Sequence, residues 1–415
     1  MHELQSRRDA RYLADMPLDA SERRSQGSAH IDTLRGMAAV AVLLGHSREF
    51  FFQSLTGAGL ASTSQNTGVA TSVATPPARI TIGNEAVMIF FVLSGYLVGG
   101  SVVRSIRRNR WSWKEYLGKR LTRLWMVLLP ALVLTVFLDY VGSRLFPEST
   151  GVYHSALILQ PGMPDLSYAL KPGIIVGNAL FLQNILVPTL GTNSALWSLA
   201  AEFWYYLLFP LLALSCWRSA TIRLRIPCAA LAGLILCFVG LGVIELFPIW
   251  LLGAGISLLP LMLSNRTAAR LSAILGPALP LLMILLRRLP LDARIAQVFV
   301  ALYASLLIYV FSSLTSPAKR GLYPQIATVL SDLSYPLYLV HVPIVVLVCA
   351  AINRPWKMWS LSPRHLALVS AVDVLIVVVA YFFHFCFQRH TDFVRRRLIG
   401  PLRHQQHVPI SRSVP

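Results

Sequence analysis

Ten apolar runs, each close to the length that crosses a bilayer, leave this chain little choice of fold. They lie near residues 34 to 52, 86 to 103, 121 to 141, 195 to 215, 226 to 244, 246 to 263, 271 to 286, 295 to 314, 333 to 351 and 366 to 387. A helix crosses the hydrocarbon core with about 20 predominantly apolar residues. The expected fold is therefore an all-α, polytopic integral membrane protein of about ten transmembrane helices, with membrane lipid as its surroundings. Only 13% of the 415 residues are charged, against about 25% in soluble domains. The net charge of +19 is accounted for by basic loops on the cytoplasmic side, and no nucleic-acid recognition module is visible. Nucleic acid is not an expected partner.

An eleventh run, Ile174 to Val187, is shorter and carries Asn178, Gln183 and Asn184. If it does not cross, 27 of the 37 Lys and Arg residues fall inside and 10 outside; if it does, the division is 20 to 17. The positive-inside rule favours the first arrangement. Both termini are then cytoplasmic, and the weak run is an interfacial or re-entrant element in a long outer segment. Residues 1 to 30 read as a disordered cytoplasmic tail without an apolar core, residues 31 to 403 as the membrane domain, and residues 404 to 415 as a second tail. The cysteines, Cys216, Cys228, Cys237, Cys349 and Cys386, lie in or beside apolar stretches without metal-type spacing and read as small core residues.

Ionisable groups deep in a span are costly and mark candidate sites. Among the histidines, His46, His341 and His384 lie within runs; among the acids, Glu202 and Asp373 do. His384 and Asp373 read as partners in interhelical hydrogen bonds. Arg35 precedes His46 by eleven residues, which returns the helix to within about 20° and separates the two by about 16 Å. They can line one elongated cavity, although an interfacial Arg and an unrelated core His would give the same pattern. Arg120 and Arg123 face the same way at the start of the third run. They suit phosphate recognition, or else only fix the topology. Ser198 and Glu202 lie one turn apart, followed by Phe203, Trp204, Tyr205 and Tyr206, aromatics that can stack on sugars or anchor a helix. Tyr338 and His341 are three apart, after Asp332 and Ser334.

In order, these segments resemble the integral-membrane acyltransferase 3 family, over almost the whole chain. The resemblance is carried by Ile31 through Arg35 and Gly36 to His46; by Phe90, Phe91, Val92, Leu93, Ser94, Gly95, Tyr96 and Leu97; and by Arg120 and Arg123 with Pro130 following. It continues through Trp197, Ser198, Leu199 and Glu202 to Pro210, and ends with Ser334, Tyr335, Tyr338, Leu339 and His341. Met88 stands where many members have Asp, and Gln388 and His390 stand near a place where a Glu-x-Pro element is common.

The resemblance implies O-acylation of a cell-envelope or exported glycan, with acyl-CoA, most plausibly acetyl-CoA, as co-substrate, no tightly bound cofactor and no metal. It implies His46 as base, Arg35, Arg120 and Arg123 at a polyanionic donor, Glu202 orienting the acceptor or the histidine, and Trp197, Ser198, Ser94, Tyr96, Tyr338 and His341 as substrate contacts. The expected location is the bacterial inner membrane. A glycan transporter or exporter would also bury charge around a central cavity, but predicts internal symmetry and broken helices that the sequence does not display. A non-catalytic assembly subunit gives no reason for the ordered polar motifs.

Overall fold

The computed structural model describes residues 25–53, 82–155, 157–158, 165–218, 220–318 and 321–399. Among these residues the regular structure is helical, with three isolated bridges and no strand. The longer helices are α1 (Gln26–Phe51), α2 (Ile82–Arg107, with a π-helical turn at Gly95–Gly99) and α3 (Trp113–Leu145). After the short α4 (Pro172–Ala179) come α5 (Leu196–Cys216), α6 (Ile222–Val239), α7 (Phe247–Ile256), α8 (Asn265–Leu286), α9 (Ala293–Ser312), α10 (Leu322–Ile352), α11 (Pro363–Cys386) and α12 (Thr391–Ile399).

Eight helices among the described residues are long and apolar enough to cross a membrane. The other two of the ten runs fall in α1, which carries Asp32, Arg35, His46, Arg48 and Glu49, and in the short α7. Helix starts follow their capping chemistry. Ser25 accepts from the Ser28 N–H at 3.1 Å to open α1, so Gln26 to His30, expected in the tail, are already helical. Ser112 accepts from the Glu115 N–H at 3.4 Å in a Ser-x-x-Glu capping pattern. Residues 1–24 of the expected first tail, and all of the expected 404–415 tail, lie outside the described residues.

Side-chain contacts give the direction of each helix. Arg35 meets Ser331 and His46 meets His341, so α1 and α10 run parallel. Tyr335 reaches Leu124 while Arg354, just past α10, pairs with Glu148, just past α3, so α3 shares their direction. Tyr205 on Phe247 and Phe209 on Trp250 make α5 and α7 parallel to each other, and the contact of Trp204 with Phe238 makes α6 antiparallel to α5. Tyr116, near the start of α3, donates to Tyr206 O in α5, and Asp139, near the end of α3, holds Thr192 just before α5, so α3 and α5 are antiparallel and the segment between them returns to the side it left. The weak run lies in that segment: α4 has eight residues, about 12 Å of helix, too short to cross alone.

The polar residues that weakened that run hold the element together. The Asn178 amide donates to Ile174 O at 2.9 Å and Pro188 O at 3.0 Å, and its oxygen accepts from the Leu190 N–H at 3.1 Å. Gln183 donates to Leu196 O at 2.8 Å. Asp139, fully buried in α3, accepts from the Thr192 N–H and hydroxyl, each at 2.8 Å. Gly191, at φ +52°, completes the turn, and a Cβ there would sit 2.0 Å from Asp139 Oδ2. Backbone at membrane depth is tolerated when protein satisfies it in this way.

The core surrounds α1, most extensively packed along α10. Gly36 permits the approach, since a Cβ there would lie 2.4 Å from the Leu330 Cβ. Small residues set such close helix contacts in membranes, and this one places Arg35 beside α10.

Candidate active site

A cavity of about 110 Å³ opens among α1, α2, α3, α5 and α10. Its wall includes Arg35, Ser94, Arg120, Arg123, Ser198, Glu202, Tyr206 and Tyr338, against an apolar side formed by Val87, Phe90, Phe91 and Leu97. Three guanidiniums from two helices thus face one carboxylate. Arg120 and Arg123 share a face because three residues, about 300° of rotation, is close to one turn.

Each charged group is held differently. Arg35 donates to Ser331 Oγ at 3.1 Å, and Ser331 in turn donates to Asp32 Oδ1 at 2.9 Å, with Arg35 itself 3.9 Å from that carboxylate. Arg120 donates to Ser101 Oγ at 3.4 Å and lies 5.7 Å from the ring centroids of both Tyr116 and Tyr206. Its buried Nε has no hydrogen-bond partner among the described residues. Arg123 is exposed at the cavity. Glu202 ends a chain of donors: Trp250 Nε1 to Ser94 Oγ at 3.1 Å, Ser94 to the Tyr206 hydroxyl at 3.3 Å, and Tyr206 to Glu202 Oε1. Every donor in that chain points toward the carboxylate, so the bonds polarise one another.

Tyr338 separates this cavity from a second polar centre. Its hydroxyl donates to Ala195 O at 2.9 Å and is 2.6 Å from Ser198 Oγ, while its ring lies 5.9 Å from that of His341. His341 is buried, with Nδ1 3.0 Å from Leu337 O and 2.9 Å from Tyr338 O. Two carbonyl acceptors assign the proton to Nδ1, which leaves Nε2, without a partner among the described residues, as a lone pair. The His46 ring is 5.2 Å from the His341 ring, and His46 Nδ1 is 3.5 Å from Glu49 Oε2. Next to it, Ser47 donates to Asp373 at 2.5 Å, an interhelical hydrogen bond of the kind expected for that acid.

The structure therefore brings together seven of the expected residues, Arg35, Ser94, Arg120, Arg123, Ser198, Glu202 and Tyr338, around one cavity. His46 and His341 form a pair beyond Tyr338 and are not among the cavity-lining residues. Tyr96 accepts from Ser312 Oγ at 2.8 Å, and Trp197 packs on Phe91 at 6.2 Å; neither lines the cavity. Glu202, expected to orient the acceptor or the histidine, shares the arginine cavity. Sequence reasoning did not single out Glu49 or the Glu202–Tyr206 bond, although their spacings of three and four residues in a helix were available signals. Trp250 and Ser331 gave no such signal, because their partners are on other helices.

A family model described as an acyltransferase domain matches residues 28–388. Among curated proteins, an uncharacterized protein of Haemophilus influenzae is 28% identical over 133 residues, covering 32% of this chain and 49% of that protein. A protein of Shigella phage Sf6 named as an O-acetyl transferase is 29% identical over 126 residues, 30% of this chain and 33% of its own length. The alignments thus span about half and a third of these relatives. No solved structure matches.

Proposed function

Because this chain belongs to the acyltransferase 3 family and is a transferase of acyl groups other than aminoacyl groups, we propose that it moves an acyl group, most simply acetyl, from a cytoplasmic acyl-CoA to a hydroxyl of a cell-envelope or exported glycan. The observation that carries this reading is the convergence of Arg35, Arg120 and Arg123 on one cavity, with Glu202 the one carboxylate in its wall among the described residues. An excess of guanidinium suits a polyanionic donor, and the planar fork of Arg suits phosphate oxygens. A long donor can leave its phosphates with Arg120 and Arg123 and extend its thioester past Tyr338 toward the histidines.

In this mechanism His46 takes the proton of the acceptor hydroxyl, with Glu49 beside Nδ1 leaving Nε2 to act as base. The hydroxyl oxygen forms the new ester bond to the acyl carbon, the carbon–sulfur bond breaks, and the proton passes to the departing thiolate. Arg35 is the cationic group assigned to the cavity mouth, and Glu202 orients the acceptor or the catalytic histidine. Ser94, Ser198 and Tyr338 are contacts along the cavity; Trp197, Tyr96 and His341 act from behind or beyond its wall.

The topology proposed with this function has ten crossings and both termini in the cytoplasm of a bacterium, in its inner membrane. The helix directions and the basic-residue distribution support it. Reporter fusions after Gly191 and after Arg218 test it: the first is expected outside and the second inside, and an external reporter at Arg218 overturns it. The activity is tested by mass analysis of envelope glycans from cells with and without the intact gene. Loss of one acyl substituent is expected, and an unchanged acylation pattern refutes the reading.

A further inference from the structure

A second cavity, of about 350 Å³, lies past the ends of α1 and α10 opposite to Arg35, bounded by Phe146, Glu148, Val152, Asn353, Arg354 and Trp356. Its size falls within the roughly 300–1,000 Å³ of small-ligand pockets. We propose that it binds a neighbouring sugar residue of the glycan acceptor, anchoring the chain so that another of its residues reaches His46. This rests on the acyltransferase reading above and adds to it that the acceptor is recognised as an oligosaccharide or polymer, not as one isolated sugar.

Position is the first argument. Trp356 Nε1 donates to Phe50 O at 3.2 Å, and Cys349 Sγ approaches the same carbonyl at 3.7 Å. Phe50 is one helical turn from His46, about 6 Å along the axis. The cavity thus stands directly beyond the histidine pair, on the side away from the three arginines.

Chemistry is the second. A sugar presents C–H faces, which pack on aromatic rings, and vicinal hydroxyls, which take paired donors and acceptors. Trp356 and Phe146 supply the rings. Arg354 pairs with Glu148 and lies 5.1 Å from the Phe146 ring centroid. Their side chains remain 50% and 40% exposed, so solutes reach them, and guanidinium and carboxylate each have further donor and acceptor sites. The backbone N–H of Glu148 itself, and after it the Arg354 guanidinium, hold that carboxyl below its ordinary range, so the acceptor half stays ionised.

Charge is the third argument, and it distinguishes the two cavities. Three arginines and one glutamate line the first, whereas the second balances one of each. A neutral hydroxyl-rich ligand fits the balanced site, and a polyanion fits the other. The frame is also pre-formed, which lowers the ordering cost of binding: Asn353 donates to Lys357 O at 2.8 Å and accepts from the Lys357 N–H at 3.2 Å, closing the loop that carries Arg354 and Trp356.

The test uses the full-length chain in membranes, labelled acetyl-CoA, and as acceptor the unacylated envelope glycan from cells lacking the gene. Two variants are compared with the parent: Trp356→Ala, and Glu148→Ala combined with Arg354→Ala, which removes both halves of the pair and strands no charge. The expected result is a KM for glycan raised at least about fivefold in each, with kcat and the KM for acetyl-CoA within about twofold. If Trp356→Ala fails to accumulate, the double variant decides alone. An unchanged glycan KM in the double variant overturns the proposal, as does a change that follows the anionic-lipid content of vesicles instead of glycan concentration, which would make this a headgroup site. Absence of transfer by the parent chain refutes the glycan reading itself, and this proposal with it; transfer that is normal but indifferent to the variants refutes this proposal only.

Discussion

Two buried polar regions flank α3, and they use their side chains in opposite ways. Around Asp139 the donors turn inward: Thr192 gives the carboxylate two hydrogen bonds, Asn193 donates to Thr135 Oγ1 at 3.1 Å and Leu339 O at 2.9 Å, and the amides of Asn178 and Gln183 end on backbone carbonyls. Around Arg120 the donors are left over. Among the described residues neither Arg120 nor Arg123 makes an ion pair, and Arg120 Nε is buried without a partner. The first region directs its donors to protein and so holds irregular backbone in place, although Gln183 Oε1 and Asn193 Oδ1 find no partner among the described residues; the second lines a cavity. The difference lies in where the donors end: on the carboxylate and on backbone carbonyls around Asp139, toward a cavity around Arg120.

His46→Ala is expected to lower acyl transfer by about 10²–10⁴-fold, the range for loss of a general base, with donor binding unchanged. An assay with labelled acetyl-CoA, run beside equilibrium donor binding at matched protein levels, checks it. Substantial transfer by this variant would remove the base assignment and direct attention to His341, whose Nε2 is already a free lone pair.

Gly191→Ala addresses the closed region. Its Cβ has no room beside Asp139 and its φ is left-handed, so a loss of roughly 3–5 kcal/mol is expected, at the severe end for single substitutions. Thermal melting in detergent should fall, and the activity per folded molecule should stay near that of the parent. Normal melting with lost activity would mean that this region takes part in chemistry and that the distinction drawn above fails.

The smallest effect belongs to the exposed Glu148–Arg354 pair. Its carboxyl titrates below the ordinary range, so its contribution is present above the unfolded carboxyl pKa of about 4.3 and is lost as pH falls through the lower folded value. The melting temperature of the parent should exceed that of Glu148→Gln slightly near pH 6, with the gap closing below about pH 4. A gap that widens with acid would contradict the assignment.

Much of this could be read from the sequence because apolarity and helical spacing are local. The ten runs all became helices, and Arg120 with Arg123, or Ser198 with Glu202, share faces by arithmetic alone. Arg35 and His46 were expected on one stripe, and both do face α10, meeting Ser331 and His341. What spacing does not contain is the partner across the stripe: Tyr338 stands between the two levels, so the cavity wall includes Arg35 and omits His46. The relay from Trp250 through Ser94 and Tyr206 to Glu202 joins three helices, and no single-helix pattern encodes it. Asn178 and Gln183 weakened an apolar run for a reason that became visible only with their carbonyl partners in place.

If the open arginines hold the donor, equilibrium binding of acetyl-CoA to the purified full-length chain depends on them. The parent and His46→Ala should bind alike, whereas the combined Arg120→Ala and Arg123→Ala variant should bind at least about tenfold more weakly, the equivalent of about 1.4 kcal/mol. Equal affinity in all three, with the double variant folded, would contradict the account and leave the two arginines as markers of membrane orientation.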